Sequence, residues 1–103
     1  MEKDLGISIE VKKILELIKT ISPGRSVELR VPPYGVIQCV AGGNHRRGTP
    51  PNTVEMSGAT LIKLINAPHL WAELVSQGEI SASGISSDLS SVFTQAAAKY
   101  PPK

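Results

Sequence analysis

A chain of 103 residues, 41% of them hydrophobic and 19% charged, has enough apolar side chain for one core and not for two, and is too apolar to stay disordered. Its formal net charge of +2 is too small to point to nucleic acid or an acidic membrane as a partner. A single cysteine, Cys39, excludes an internal disulfide and has no zinc-type spacing around it, so a reducing compartment is expected.

The opening residues, Met1 to Gly6, lack the basic and apolar regions of a signal peptide, and no stretch approaches the roughly 18 apolar residues of a spanning helix. The expectation is a cytoplasmic domain over residues 1–103, with a frayed tail at 100–103 and no transmembrane segment. Val11, Ile14, Leu15, Ile18 and Ile21 recur at helical spacing, with Lys12, Lys13, Glu16 and Lys19 on the other face. This predicts an amphipathic helix capped by Ser8 and stopped by Ser22-Pro23-Gly24. Its apolar stripe suits a sheet; the lysines leave a membrane-surface or partner-binding helix as the alternative.

Val27, Leu29 and Val31 alternate with Glu28 and Arg30, the pattern of a half-buried strand. Pro32-Pro33-Tyr34-Gly35 supplies turn chemistry, and Val36 to Ala41 reads as the return strand of a hairpin. The nearly continuous apolar character of that second strand places it centrally, covered on both faces. Gly42 to Asn52 is rich in glycine and proline and reads as a long loop.

Val54 to Ser57 predicts a strand running into a helix cap. Thr60–Asn66 and Pro68–Ser76 follow as two abutting helices, closed by Gly78. Glu79 to Gly84 returns as a strand. Ser86 or Ser87 then caps a last helix with Leu89, Val92, Phe93, Ala96 and Ala97 on its inward stripe.

The run from Met56-Ser57 through Leu61, Leu64, Ile65, Trp71, Leu74 and Val75 to Gly78-Glu79-Ile80-Ser81-Ala82-Ser83-Gly84 resembles the C-terminal half of the sterol carrier protein family. The strings Ser26 to Gly35 and Arg47 to Glu55 are similar to its compact bacterial branch. The resemblance implies an α/β (α+β) fold: a mostly antiparallel sheet with helices packed mainly on one face. The chain offers four strand candidates where the wider family builds five, so the sheet is expected to have four to five strands. It also implies a lipid or fatty acyl ligand, held without catalysis in a pocket between sheet and helices. If that pocket persists here, Leu61, Leu64, Trp71, Leu74, Leu89 and Phe93 line it.

Reactive chemistry is sparse. Cys39 lies in an apolar strand and reads as a core thiol rather than a nucleophile partnered by His45. His69 reads as a surface residue, and His45 and His69 have no ligand pattern around them, so no metal and no cofactor are expected. Gly43 and Gly48 have phosphate-loop spacing, but the required lysine is missing and Pro50-Pro51 blocks a helix start. His45, Arg46 and Arg47 are suited to an anionic head group or an acidic partner; a plain solvated pair tethered to Glu28 or Glu55 is the simpler alternative. Trp71 has two readings, core filler or pocket wall. The competing function is a protein-interaction module of the same fold with a closed pocket, using the 42–52 loop against an unknown protein partner. Nucleic acid is not expected, because the basic residues are dispersed.

Overall fold

The computed structural model describes residues 2–42 and 52–100, with side chains from Leu5 onward. The elements run α1 (Glu2–Ile21), β1 (Val27–Val31), β2 (Gly35–Cys39), β3 (Asn52–Met56), α2 (Gly58–Asn66), a 3-10 turn (Pro68–Leu70), α3 (Trp71–Ser76), β4 (Ile80–Ser83) and α4 (Ser90–Lys99). The fold is α+β, and the four strands among the described residues form one mixed sheet in the order β2-β1-β3-β4. The pairs β1–β2 and β3–β4 are antiparallel, but the central pair β1–β3 is parallel. A mostly antiparallel sheet thus carries one parallel seam. Alternation along a strand tells which side chains share a face; it says nothing about which neighbour the strand chooses.

The register sorts the sheet into two chemically distinct faces. Val27, Leu29 and Val31 of β1 lie level with Cys39, Ile37 and Gly35 of β2 on the helix-covered side. Val54, Met56 and Ile80 continue that side across β3 and β4. The opposite side carries Glu28, Arg30, Gln38, Thr53, Glu55, Ser81 and Ser83. There Arg30 Nε donates to Glu28 Oε2 at 2.7 Å and Arg30 Nη1 approaches Glu55 Oε1 at 3.9 Å. Glu28, by hydrogen bond first and then by charge, raises the guanidinium pKa above its usual value.

β2 is an edge strand, not the central one its composition suggested. Its Val36 is 58% exposed, while Ile37 and Cys39 pack inward beneath α1. An apolar run on an edge strand is compatible with burial of one face plus a tolerated surface valine. Helix α1 also starts at Glu2 rather than after Ser8, which lies within the helix. A serine ahead of an apolar stripe caps only when the chain bends there, and here the helix continues through it. The stripe itself packs as expected, with Val11, Ile14, Leu15 and Ile18 buried.

The turn from α1 into β1 is tied to the end of β2. Val40 N–H donates to Ser22 O at 2.7 Å, and Ser26 N–H donates to Val40 O at 3.0 Å. These bonds hold Val40 at φ 68°, unusual for a β-branched residue. Gly24, at φ 150°, lies against the Val40 carbonyl so closely that a Cβ there would overlap backbone atoms. Asn52 performs a similar joining role for β3. Its Nδ2 donates to Ser26 O at 2.9 Å, and its Oδ1 accepts from Ser86 N–H at 3.0 Å. One buried amide therefore ties the start of β1, the start of β3 and the segment after β4.

Candidate functional site

The site foreseen from the sequence is the apolar space between sheet and helices, and each wall has a local cause. Ser57 directly follows β3 and caps α2: its Oγ accepts from Thr60 N–H at 3.1 Å. The Ser57 hydroxyl in turn donates to Thr60 Oγ1, which donates to Glu79 Oε1 at 3.2 Å. This chain of hydroxyls anchors the first turn of α2 to the lead-in of β4. With that end fixed, Leu61 and Leu64, spaced by three, fall on the inward face. Pro68 opens the 3-10 turn because it needs no N–H there, and the turn delivers Trp71 and Leu74 of α3 to the same interior.

α4 closes the other side with Val92, Phe93 and Ala96. Ser86 and Ser87 do not cap it. Asp88 Oδ1 accepts from Ser90 N–H at 2.9 Å instead, while Ser87 Oγ folds back to donate to Gly84 O at 2.7 Å. Leu89 accordingly stands at the N-cap position, still buried, rather than inside the helix. Gly78, at φ 80°, ends α3 as expected.

All six side chains expected at a pocket belong to one buried cluster: Leu61, Leu64, Trp71, Leu74, Leu89 and Phe93. Trp71 and Phe93 stack at 6.1 Å between ring centroids with 29° between planes. That separation is within the favourable range for an aromatic pair. Leu61, Leu64 and Phe93 have 0% exposure. A void wide enough for one water would leave its lining side chains accessible, so none touches these three. In this conformation their interior is filled.

An open cleft of about 320 Å³ lies elsewhere, lined by Pro32, Glu55, Met56, Ser57, Gly78, Glu79 and Ser81. It sits where β1 and β3 end and β4 begins. Its walls carry carboxylates and hydroxyls, and none of the six apolar residues lines it.

His45, Arg46 and Arg47 lie outside the described residues, as does most of the loop assigned to them. His69 is exposed on the 3-10 turn. Cys39 is a buried free thiol at 0% exposure, and desolvation pushes its pKa up to about 11. A thiol held protonated at neutral pH is a poor nucleophile. Among the described residues, no group of three His, Cys, Asp or Glu side chains is placed to hold a metal ion. No helix among them is long and apolar enough to cross a membrane.

A contact with no signature in the sequence joins the two chain ends. Tyr100, just after α4, donates its hydroxyl to Glu10 Oε2 of α1. Burial, then the hydrogen bond and charge of Glu10, push the phenol pKa up to about 12. Ninety positions separate the partners, beyond the reach of any local pattern.

Comparison with known proteins agrees with this architecture. A solved structure titled "UbiJ-SCP2 Ubiquinone synthesis protein" is similar with a TM-score of 0.52 and 17% identity, over 95% of this chain and 93% of that one. At that identity the likeness is one of fold. No curated protein matches. The family model described as "Bacterial SCP ortholog" matches residues 5–94. Because that match covers most of the chain, including all four strands described, the chain belongs to the bacterial branch of the sterol carrier protein family.

Proposed function

We propose that this protein binds and carries an apolar ligand, a lipid or fatty acyl chain, without catalysis. The observation that carries the reading is the convergence of Leu61, Leu64, Trp71, Leu74, Leu89 and Phe93 over one face of the sheet, in a chain of the sterol carrier family. Supplied by α2, α3, α4 and its N-cap, these side chains present no polar atom except the Trp71 indole N–H. An acyl chain placed among them gains about 25 cal/mol per Å² of apolar surface removed from water. Their close packing means that the ligand takes its place by parting helices, not by entering a preformed hole. The open cleft, with Glu55, Glu79, Ser57 and Ser81 in its walls, is less suited to an acyl chain than the apolar interior is.

Displacement of a fluorescent fatty acid by unlabelled palmitate or a lysophospholipid tests the reading. Saturable, displaceable binding at micromolar protein, with a change in Trp71 emission, is expected. No displaceable binding to correctly folded protein overturns it.

The filled interior also favours a second reading, an interaction module whose pocket has closed. On that reading His45, Arg46 and Arg47 in the 42–52 loop contact an acidic partner. The double substitution Arg46→Glu with Arg47→Glu then abolishes capture of a partner that wild-type protein retains. Unchanged capture removes the loop from consideration.

A further inference from the structure

A ligand that must part helices needs one that moves, and the attachments of the covering elements differ. α2 is capped by Ser57 and bonded through Thr60 to Glu79 at the lead-in of β4. The short α3 is joined to β4 by a tight turn in which Glu79 N–H donates to Leu74 O at 2.9 Å. α1 packs against β2 as well as against α2 and α4. α4 rests chiefly on α1, α2 and the 3-10 turn; α2 likewise rests on α1, α4 and that turn, but has in addition the Thr60–Glu79 bond to the lead-in of β4.

The two ends of α4 are held unequally. Before it lies an exposed segment, Gly84 to Asp88, in which Ile85 is fully solvent-facing and only Ser87 is buried. Gly84 has φ 109°, a conformation that glycine adopts freely. Asn52 Oδ1 pins the middle of that segment through Ser86 N–H, so the chain entering α4 has a fixed pivot. Beyond the helix, the side-chain hydrogen bond from Tyr100 to Glu10 ties its far end to α1. Between pivot and tie stands Phe93, stacked on Trp71. Lifting α4 about the Gly84–Asp88 segment separates those rings and opens the interior occupied by Leu61 and Leu64.

We infer that α4 is a gate over the apolar interior, hinged at Gly84–Asp88 and latched by the Tyr100–Glu10 hydrogen bond, and that an acyl chain enters between α4 and the 3-10 turn leading into α3. The inference rests on the apolar-ligand reading, and it adds an entry route and two residues that control it without lining the site. Apparent affinity scales with the open fraction, so weakening the latch strengthens binding. Loss of one hydrogen bond to a half-buried carboxylate raises that fraction roughly fivefold.

Tyr100→Phe keeps the ring and removes the donor; Glu10→Gln removes the charge and serves as a second variant should the first fold poorly. Gln95→Ala, at an exposed position of α4, is the control. Two measurements on the full chain decide the matter. In amide hydrogen exchange without ligand, residues 90–99 should exchange roughly fivefold faster in Tyr100→Phe, with the α2 and β1–β3 amides unchanged. In titration with a dansyl-labelled fatty acid, the same variant should bind roughly fivefold more tightly, with Gln95→Ala at wild-type affinity. Unchanged exchange in α4 overturns the latch. Faster exchange with unaltered probe affinity overturns the entry route and leaves the apolar-ligand reading standing. Absence of probe binding in both wild type and variant overturns that reading together with the route, whatever α4 does.

Discussion

Truncation of Phe93 to alanine is the sharpest physical test of a filled interior. The ring has no exposed area and stacks at 6.1 Å on Trp71. Phe→Ala in a packed core costs about 3–5 kcal/mol, the lost transfer energy plus the cavity left behind. The broken aromatic pair accounts for about 0.5–1.5 kcal/mol of that. Domains are typically stable by about 5–15 kcal/mol, so Phe93→Ala remains folded only if the wild type sits above the lower end. At about 4–8 °C per kcal/mol, the thermal midpoint falls by roughly 12–40 °C. Urea titration followed by both Trp71 emission and circular dichroism measures the loss, with the slope m compared between the two proteins. Phe93→Leu retains most of the volume and is expected to cost under about 2 kcal/mol. A loss below about 1.5 kcal/mol for Phe93→Ala, with m unchanged, would mean that the ring already faces a void, and the description of a closed interior would fall.

Three further outcomes follow from the same geometry. Asn52→Ala leaves the buried Ser26 carbonyl and the Ser86 N–H without their side-chain partner; the expected loss is about 2–3 kcal/mol by urea titration, and a loss under about 0.5 kcal/mol refutes the clamp. Ser57→Ala removes the cap of α2 and the hydroxyl relay to Glu79, costing about 1 kcal/mol with faster amide exchange at Thr60; unaltered exchange there speaks against the cap. Cys39 ionises at its ordinary 9.0 in the unfolded chain and at about 11 when folded. Above pH 9 the unfolded state therefore binds fewer protons at this thiol than the native state, and stability drains away as pH rises towards 11. Denaturation of wild type and Cys39→Ala at intervals from pH 8 to 11 should show a steeper decline for wild type; parallel declines refute the buried thiol.

The helix-facing stripes and the C-terminal ends of α1, α2 and α3 are legible because they rest on local chemistry. Ser57 caps α2, Gly78 ends α3 at positive φ, and Val27, Leu29 and Val31 alternate inward, each from interactions within a few residues. The misreadings share another cause. The start of α1, the edge position of β2 and the bare N-cap of α4 depend on whether the chain bends, or what lies beside it, at that point. Asn52 looked like the end of a loop, and only the folded chain brings Ser26 and Ser86 to its amide. Tyr100 and Glu10 gave no signal at all.

The amino-acid order alone determined which face of each helix and strand is apolar, because side-chain direction follows from backbone periods of 3.6 and 2. It also determined membership in a family, whose model matches residues 5–94. The tertiary structure decided the parallel seam between β1 and β3, the stacking of Trp71 on Phe93, and the tie from Tyr100 to Glu10. Those are pairings between distant segments, and their free energy depends on which surfaces meet when the chain collapses, a property that no local window contains.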